Sequence, residues 1–517
     1  MISGDVIGRH DNRVYKFRKG EGLISRSIHK KIINQIFPVH EPKVLSQLKQ
    51  GWIHKINKLP PIDGIYSYFG SKIALYFAWL NHYTFALAVH VFVGILFWMA
   101  QDGKYEKPSV TEILTTSYND INFILFSFFN IIWAAIYLKS WKRRSIELTY
   151  SWRTLHSQKD LLLEPQPLFK GEERFNEITG RPELYYSPWK RQMTMCFISF
   201  PVILTCLSIV FLTLIFALWL QEWWDDEVSY LSYIPKVFLA TSIPILNHLY
   251  EKIATKLNHL ENHRSEESHN NNLIVKLIFF QFINSFLALF YVAFYLGDFD
   301  RLNELLTAIL ITRQVIGNIK ETVLPYAIRY FKLLSMTWND LTTFDPSQIS
   351  TEFTQIEREA SSPIYKGTHE DYMEIFIQFG YVTFFSSIYP LAGFLALLNN
   401  IFEIRGDTLK LCIAYQRPFG DRVSDIGVWK DAMNYMGIIS VIVNCALIGR
   451  SGIVFKLWPD ISNGEMIFFV VVLEHLMLLV KVLMDKIISN TPLWVEKELT
   501  KIEHQRQELE RQIDQEK

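Results

Sequence analysis

Long uncharged apolar runs limit what this chain can fold into more than anything else in it. Residues 194–220 carry no charged side chain, and about 20 apolar residues in a helix cross the hydrocarbon core of a bilayer. Backbone amides have no water to pair with there, so such runs must become helices. Half of the 517 residues are hydrophobic and mean hydropathy is +0.11, too apolar for a soluble chain of this length. The fold class expected is an all-α polytopic membrane protein.

Ten spans are expected, at 84–100, 122–139, 194–220, 230–251, 273–297, 302–328, 372–387, 392–404, 432–448 and 466–485. The sixth carries Glu304, Arg313, Lys320 and Glu321 and is weak by hydropathy, and the eighth should stay helical through Cys412. Residues 1–70 read as a partial N-terminal cytosolic domain and 71–83 as an interfacial helix with Trp79 and Tyr83 at headgroup level. The alternative for 71–83 is the first turns of the next helix. Residues 84–487 form the ten-helix transmembrane domain and 488–517 a cytosolic C-terminal helix. An even span count puts both termini on one side, where the loops hold 27 Lys and Arg against five opposite, the bias of cytosolic loops. The polar first 70 residues contain no cleavable signal sequence, so insertion should start at the first internal apolar run. Cys196, Cys206, Cys412 and Cys445 lie in or beside apolar segments, which indicates no disulfide framework. The net charge of zero says nothing about partners, and no nucleic-acid partner is expected.

Residues 371–407 read DYMEIFIQFGYVTFFSSIYPLAGFLALLNNIFEIRGD, two apolar helical segments meeting at Tyr389-Pro390 with acidic pairs near their outer ends. Asp371 and Glu374 are three apart and Glu403 and Asp407 four apart, so each pair lies on one helical face. An antiparallel hairpin brings the pairs to one level. Four unneutralised charges inside a bilayer cost on the order of 10–14 kcal/mol, which points to a divalent cation. The sixth span adds Asn318 and Glu321 on one face. Five carboxylates and an amide suit calcium, which takes about six to eight oxygens in flexible geometry, and two calcium ions nearly balance the charge. Magnesium wants octahedral geometry with retained water and zinc wants Cys or His. Gly317 and Pro325 would let the sixth span bend as a gating hinge. Two structural readings compete. Thr368-x-x-Asp371 matches a capping box, which would make Asp371 a helix cap, and Glu403 and Asp407 could lie among headgroups beside Arg405 and Lys410.

Other polar residues inside spans form a second constellation: Lys236, Thr241 and Ser242 in the fourth, Gln281 and Asn284 in the fifth, and Thr307, Thr312 and Arg313 in the sixth. Such residues either join helices or line a path for ions or lipid headgroups. The charged segment from Glu496 favours helix and reads as a solvated helix, or as one that stabilises a dimer. No nucleotide loop, GxSxG nucleophile or HExxH appears on a suitable element, so no enzyme is expected.

The stretches YFGSKIALYFAW (68–79), WKRR (141–144), LENHR (260–264), QFINS (281–285), YMEIFIQFG (372–380) and LLNNIFEIR (397–405), with Arg417-Pro-Phe419 and Asp425-Ile-Gly427, resemble the anoctamin family. The resemblance covers nearly the whole chain from about residue 60, and LLTAILITRQ (305–314) looks like the ten branch of that family, with the eight branch as sister. It implies a homodimer of ten-helix subunits, each with a membrane-facing groove. It also implies that Glu321, Asp371, Glu374, Glu403 and Asp407 bind two calcium ions per subunit between spans six, seven and eight. The family asparagine lies four residues before the glutamate, where this chain has Gly317; Asn318 is one residue later. A third family calcium site joins spans two and ten. Asp485 and Asn490 fit its span-ten side, while Lys139 stands where the family has a glutamate, and that positive charge can replace the ion. The family's cytosolic domain starts well before the position of Met1.

The function expected is calcium-activated, passive movement of phospholipids between leaflets of an intracellular membrane, the endoplasmic reticulum. Calcium would draw the sixth span in and open a groove between spans four and six. The alternatives are a calcium-activated anion (chloride) channel and a membrane-contact tether with a structural calcium site.

Overall fold

The apolar runs become helices in the computed structural model, where backbone amides beyond the first turn pair within their own segment. The structure describes residues 6–10, 13–17, 35–52, 60–101, 112–155, 169–176, 180–225, 233–319 and 355–516, with a few short pieces between them. In chain order the α-helices of eight or more described residues are α1 (Pro42–Trp52), α2 (Ile62–Phe69), α3 (Ser71–Gln101), α4 (Glu112–Ser151) and α5 (Phe200–Asp225). They continue with α6 (Tyr233–Leu260), α7 (Glu266–Phe290), α8 (Phe299–Asn318), α9 (His369–Phe385) and α10 (Ala392–Leu409). The last three are α11 (Val428–Arg450), α12 (Asn463–Ile487) and α13 (Leu493–Glu516). Two short antiparallel hairpins, absent from the all-α expectation, lie outside the spans: β1 (Val6–His10) with β2 (Arg13–Phe17), and β3 (Glu172–Asn176) with β4 (Arg181–Tyr185). Among the described residues, six helices are long and apolar enough to cross a membrane: Ser71–Ala100, Ile121–Ser151, Pro188–Gln221, Glu266–Leu296, Val428–Arg450 and Asn463–Ile487. The other four expected spans fall on α6, α8, α9 and α10, which are shorter or more polar.

The chain divides into two compact units, Met1–Pro38 with Gln158–Tyr291 and Val39–Ser157 with Val292–Lys517. In the first, α5, α6 and α7 pack on one another. Tyr250 and Phe280 stack with ring centroids 3.9 Å apart between α6 and α7. Ser265 caps α7 by accepting from the Ser268 amide, which satisfies one of the donors a helix start leaves over.

In the second unit α9 is the centre. Every residue from Asp371 to Phe385 except Glu374 is buried, and most of them are apolar. Helices α4, α10 and α11 surround it, and α10 packs in turn on α3 and α8. Trp79 and Trp429 flank Tyr372 with centroids 5.0 and 5.6 Å away. Close approach of α3 to α10 depends on Gly393, where a Cβ would fall 2.6 Å from His90 Nδ1.

Residues 71–83 form no separate interfacial helix. They are the first turns of α3, and Trp79 and Tyr83 are 1% and 0% exposed. The aromatic residues read as headgroup anchors are instead packed among Tyr372, Tyr137 and Phe379. The eighth span continues as a π-helical turn, Lys410–Ala414, and the charged tail is the exposed helix α13.

Candidate metal centre

Antiparallel packing of α9 and α10 gathers both acidic pairs. Asp371, Glu403 and Asp407 are 2%, 5% and 3% exposed, and Glu374 is half-buried. The Lys410 ammonium bridges the outer pair, donating to Asp371 Oδ1 at 2.6 Å and to Asp407 Oδ1 at 3.3 Å. The second oxygens accept from phenols: Tyr365 donates to Asp371 Oδ2 at 2.8 Å, and Tyr76 of α3 donates to Asp407 Oδ2. One turn along, Asn399 Nδ2 donates to Glu403 Oε2 at 2.9 Å and to Glu374 Oε1 at 3.4 Å.

The structural alternatives do not describe this cluster. Thr368 makes no side-chain cap bond, and Asp371 is engaged by Tyr365 and Lys410. Glu403 and Asp407 are interior groups, and Lys410 joins Asp407 to Asp371 inside the hairpin.

A third helix reaches the same level. The backbone of α8 at Gly317 faces the Glu374 carboxylate, so a Cβ there would lie 3.4 Å from Oε1 and 3.6 Å from Oε2. Gln314 Nε2 donates to Leu395 O at 3.5 Å. The backbone of Asn318 ends α8; its side chain, Glu321 and Pro325 lie outside the described residues. Between α8, α9 and α10 a small open cleft is lined by Arg313, Gln314, Glu374, Gln378, Tyr381 and Asn399, among others. The Arg313 guanidinium sits 6.0 Å from the Tyr381 ring centroid.

Two carboxylate pairs are thus held in the hairpin, one by the Lys410 ammonium and one by the Asn399 amide nitrogen, and the four acidic groups offer hard oxygens. Each buried carboxylate left without compensation costs several kcal/mol. Calcium fits this set, because its coordination by carboxylate and amide oxygens tolerates irregular geometry.

A family model described as "Anoctamin: Calcium-activated chloride channel" matches residues 65–502. The chain belongs to the anoctamin family. Mouse anoctamin-10 is 35% identical over 497 residues, covering 94% of this chain and 73% of the relative. Human anoctamin-10 is 36% identical over 503 residues with the same coverage, and mouse anoctamin-8 is 29% identical over 95% of this chain and 65% of its own length. Family membership makes this a polytopic membrane protein of a calcium-activated channel and scramblase family.

The other residues singled out in this anoctamin have local partners in several cases. Asn284 of α7 donates to Ile243 O at 3.0 Å and Asn247 Oδ1 at 2.8 Å, which joins α7 to α6. Ser242 and Thr307 donate to carbonyls of their own helices. Lys236 is buried, and Thr241, Gln281 and Thr312 are half-buried. The Lys139 ammonium donates to the Asp485 carbonyl at 2.6 Å and lies 3.5 Å from Asp485 Oδ1; Asn490 is exposed. Two anoctamin motifs also meet: Arg417 lies 3.8 Å from the Tyr68 ring centroid and donates to Tyr68 O at 2.8 Å.

Sequence reading passed over Asn399, Tyr365 and Tyr76 and treated Lys410 only as a headgroup neighbour. Asn399 lies four residues before Glu403 and Lys410 three after Asp407, so both shared a helical face with a chosen carboxylate. Nothing local links Tyr76 to Asp407, 331 residues away.

Proposed function

We propose that this anoctamin is a calcium-activated phospholipid scramblase of an intracellular membrane, the endoplasmic reticulum, working as a homodimer with cytosolic termini. The observation that carries the reading is the buried hairpin of Asp371, Glu374, Glu403 and Asp407 with the end of α8 held against Glu374 at Gly317. Asn318 and Glu321 complete the donor set, and two calcium ions per subunit supply the positive charge. Unneutralised, the carboxylates repel one another and hold Glu321 away. Once neutralised, they let the segment beyond α8 close on the hairpin, bending at Gly317 and Pro325. Closure opens the membrane-facing groove of the family, where Lys236, Thr241, Ser242, Gln281, Thr307 and Thr312 are candidates to pass headgroups while acyl tails stay in lipid. At Asp485 and Asn490 the Lys139 ammonium takes the place of a third ion. Transport is downhill and involves no covalent step.

A calcium-activated anion channel is the second reading. Arg313 favours it, because its side chain lines the cleft beside Glu374, where a fixed cation would attract chloride. Liposomes holding the purified protein, a labelled lipid and a chloride readout separate the readings. Calcium-dependent lipid exchange with little conductance supports the scramblase, and conductance without exchange supports the channel. Calcium binding with neither activity supports a membrane-contact tether with a structural calcium site.

A further inference from the structure

We propose that the Lys410 ammonium is a built-in competitor for calcium, holding the Asp371–Asp407 half of the site in the ion-free protein and leaving when an ion enters. The inference rests on the calcium reading above and adds a residue that cannot be a ligand, since an ammonium only donates. Lys410 is 9% exposed and contacts one oxygen of each carboxylate, at 2.6 and 3.3 Å. The other oxygen of each carboxylate is taken by Tyr365 or Tyr76, so the lysine covers the oxygens that an ion bridging the pair would use. Calcium binds carboxylate oxygens at about 2.4 Å, which puts it in the volume the ammonium now fills. Two cations in one small buried volume repel strongly, so one must go.

The chain around Lys410 suits such an exchange. Lys410 opens the π-helical turn that follows α10, and wide turns of this kind interrupt helices frequently at functional sites. The flexible four-carbon stem lets the ammonium swing away while the α10 backbone stays in place. The two phenols keep their carboxylates oriented throughout. A permanent brace would behave differently, because it would support the carboxylates with and without calcium.

Calorimetric titration of purified protein with calcium, alongside thermal unfolding without it, tests the proposal. Lys410→Met is expected to be less stable without calcium, because two buried carboxylates lose their cation, and to bind calcium roughly tenfold more tightly or better. Lys410→Arg, whose planar fork grips both carboxylates, is expected to bind it severalfold more weakly. In the wild type, acylation of Lys410 by an amine-reactive reagent, followed by mass spectrometry, is expected to rise when calcium is added. Calcium affinity in Lys410→Met equal to or below that of the wild type overturns the proposal and makes Lys410 a brace. Should Lys410→Met fail to fold, unchanged affinity in Lys410→Arg with no gain in acylation overturns it equally. A wild type that binds no calcium removes the site reading itself, a result distinct from either.

Discussion

Asp407 illustrates how a carboxylate is kept in the interior of this chain: one oxygen accepts from Lys410 and the other from Tyr76. Tyr76→Phe removes one donor and leaves a buried acceptor unpaired. It should lower stability by about 1–3 kcal/mol, read as a lower unfolding midpoint in detergent without calcium. Asn399 holds Glu403 and Glu374 in one orientation. Asn399→Ala should weaken calcium binding by roughly tenfold, measured by calorimetry, with little effect on folding yield. Residues at this scale were legible where chemistry and period coincided. Asp371, Glu374, Glu403 and Asp407 stood out because charges at helical spacing are costly in apolar runs. Tyr76 did not, because a phenol in an aromatic-rich helix looks the same whether it packs or donates.

At the scale of elements, the first unit is tied by a buried charge at the junction of α6 and α7. Glu261 accepts from Ser199, just before α5, at 2.6 Å, from His263 at 3.0 Å and from Lys276 of α7 at 2.6 Å, and Lys276 also donates to Asn258 Oδ1 at 2.7 Å. Burial pushes the Glu261 carboxyl upward, but the hydrogen bonds from His263, Lys276 and Ser199 outweigh it and hold the group at about 2. A pKa lower in the folded than in the unfolded chain contributes stability that is full above the unfolded value, near 4.5, and is lost as pH falls toward 2. The contribution is on the order of 3 kcal/mol. The unfolding-midpoint gap between wild type and Glu261→Gln should therefore be widest near neutral pH and narrow steadily below about pH 4. Helices α4 and α12 are joined where Lys139 meets the C-terminal end of α12 at Asp485. If the ammonium replaces an ion, Lys139→Glu should raise the calcium bound per chain by one, counted by calorimetry. Elements were less legible than residues. Residues 71–83 looked interfacial because Trp and Tyr favour headgroups and buried cores alike, and α3 simply begins earlier than a membrane span needs to.

Across the described residues of the molecule, hydropathy alone recovers six helices, while α6, α8, α9 and α10 are shorter or carry more polar residues. Physics explains the gap. Asp371, Glu403 and Asp407 are surrounded by protein, so α9 and α10 need not be uniformly apolar to sit at membrane depth. In the calcium switch proposed above, the hairpin of α9 and α10 stays in place while the distance between it and the end of α8 changes. Glu374 is where the two meet, facing Gly317 and sharing Asn399 with Glu403. The most direct test is lipid exchange in liposomes across a calcium series, comparing wild type with Glu374→Gln. The variant should need at least roughly tenfold more calcium for half-maximal exchange and reach the wild-type rate at saturation. An unchanged calcium response in Glu374→Gln would contradict the account.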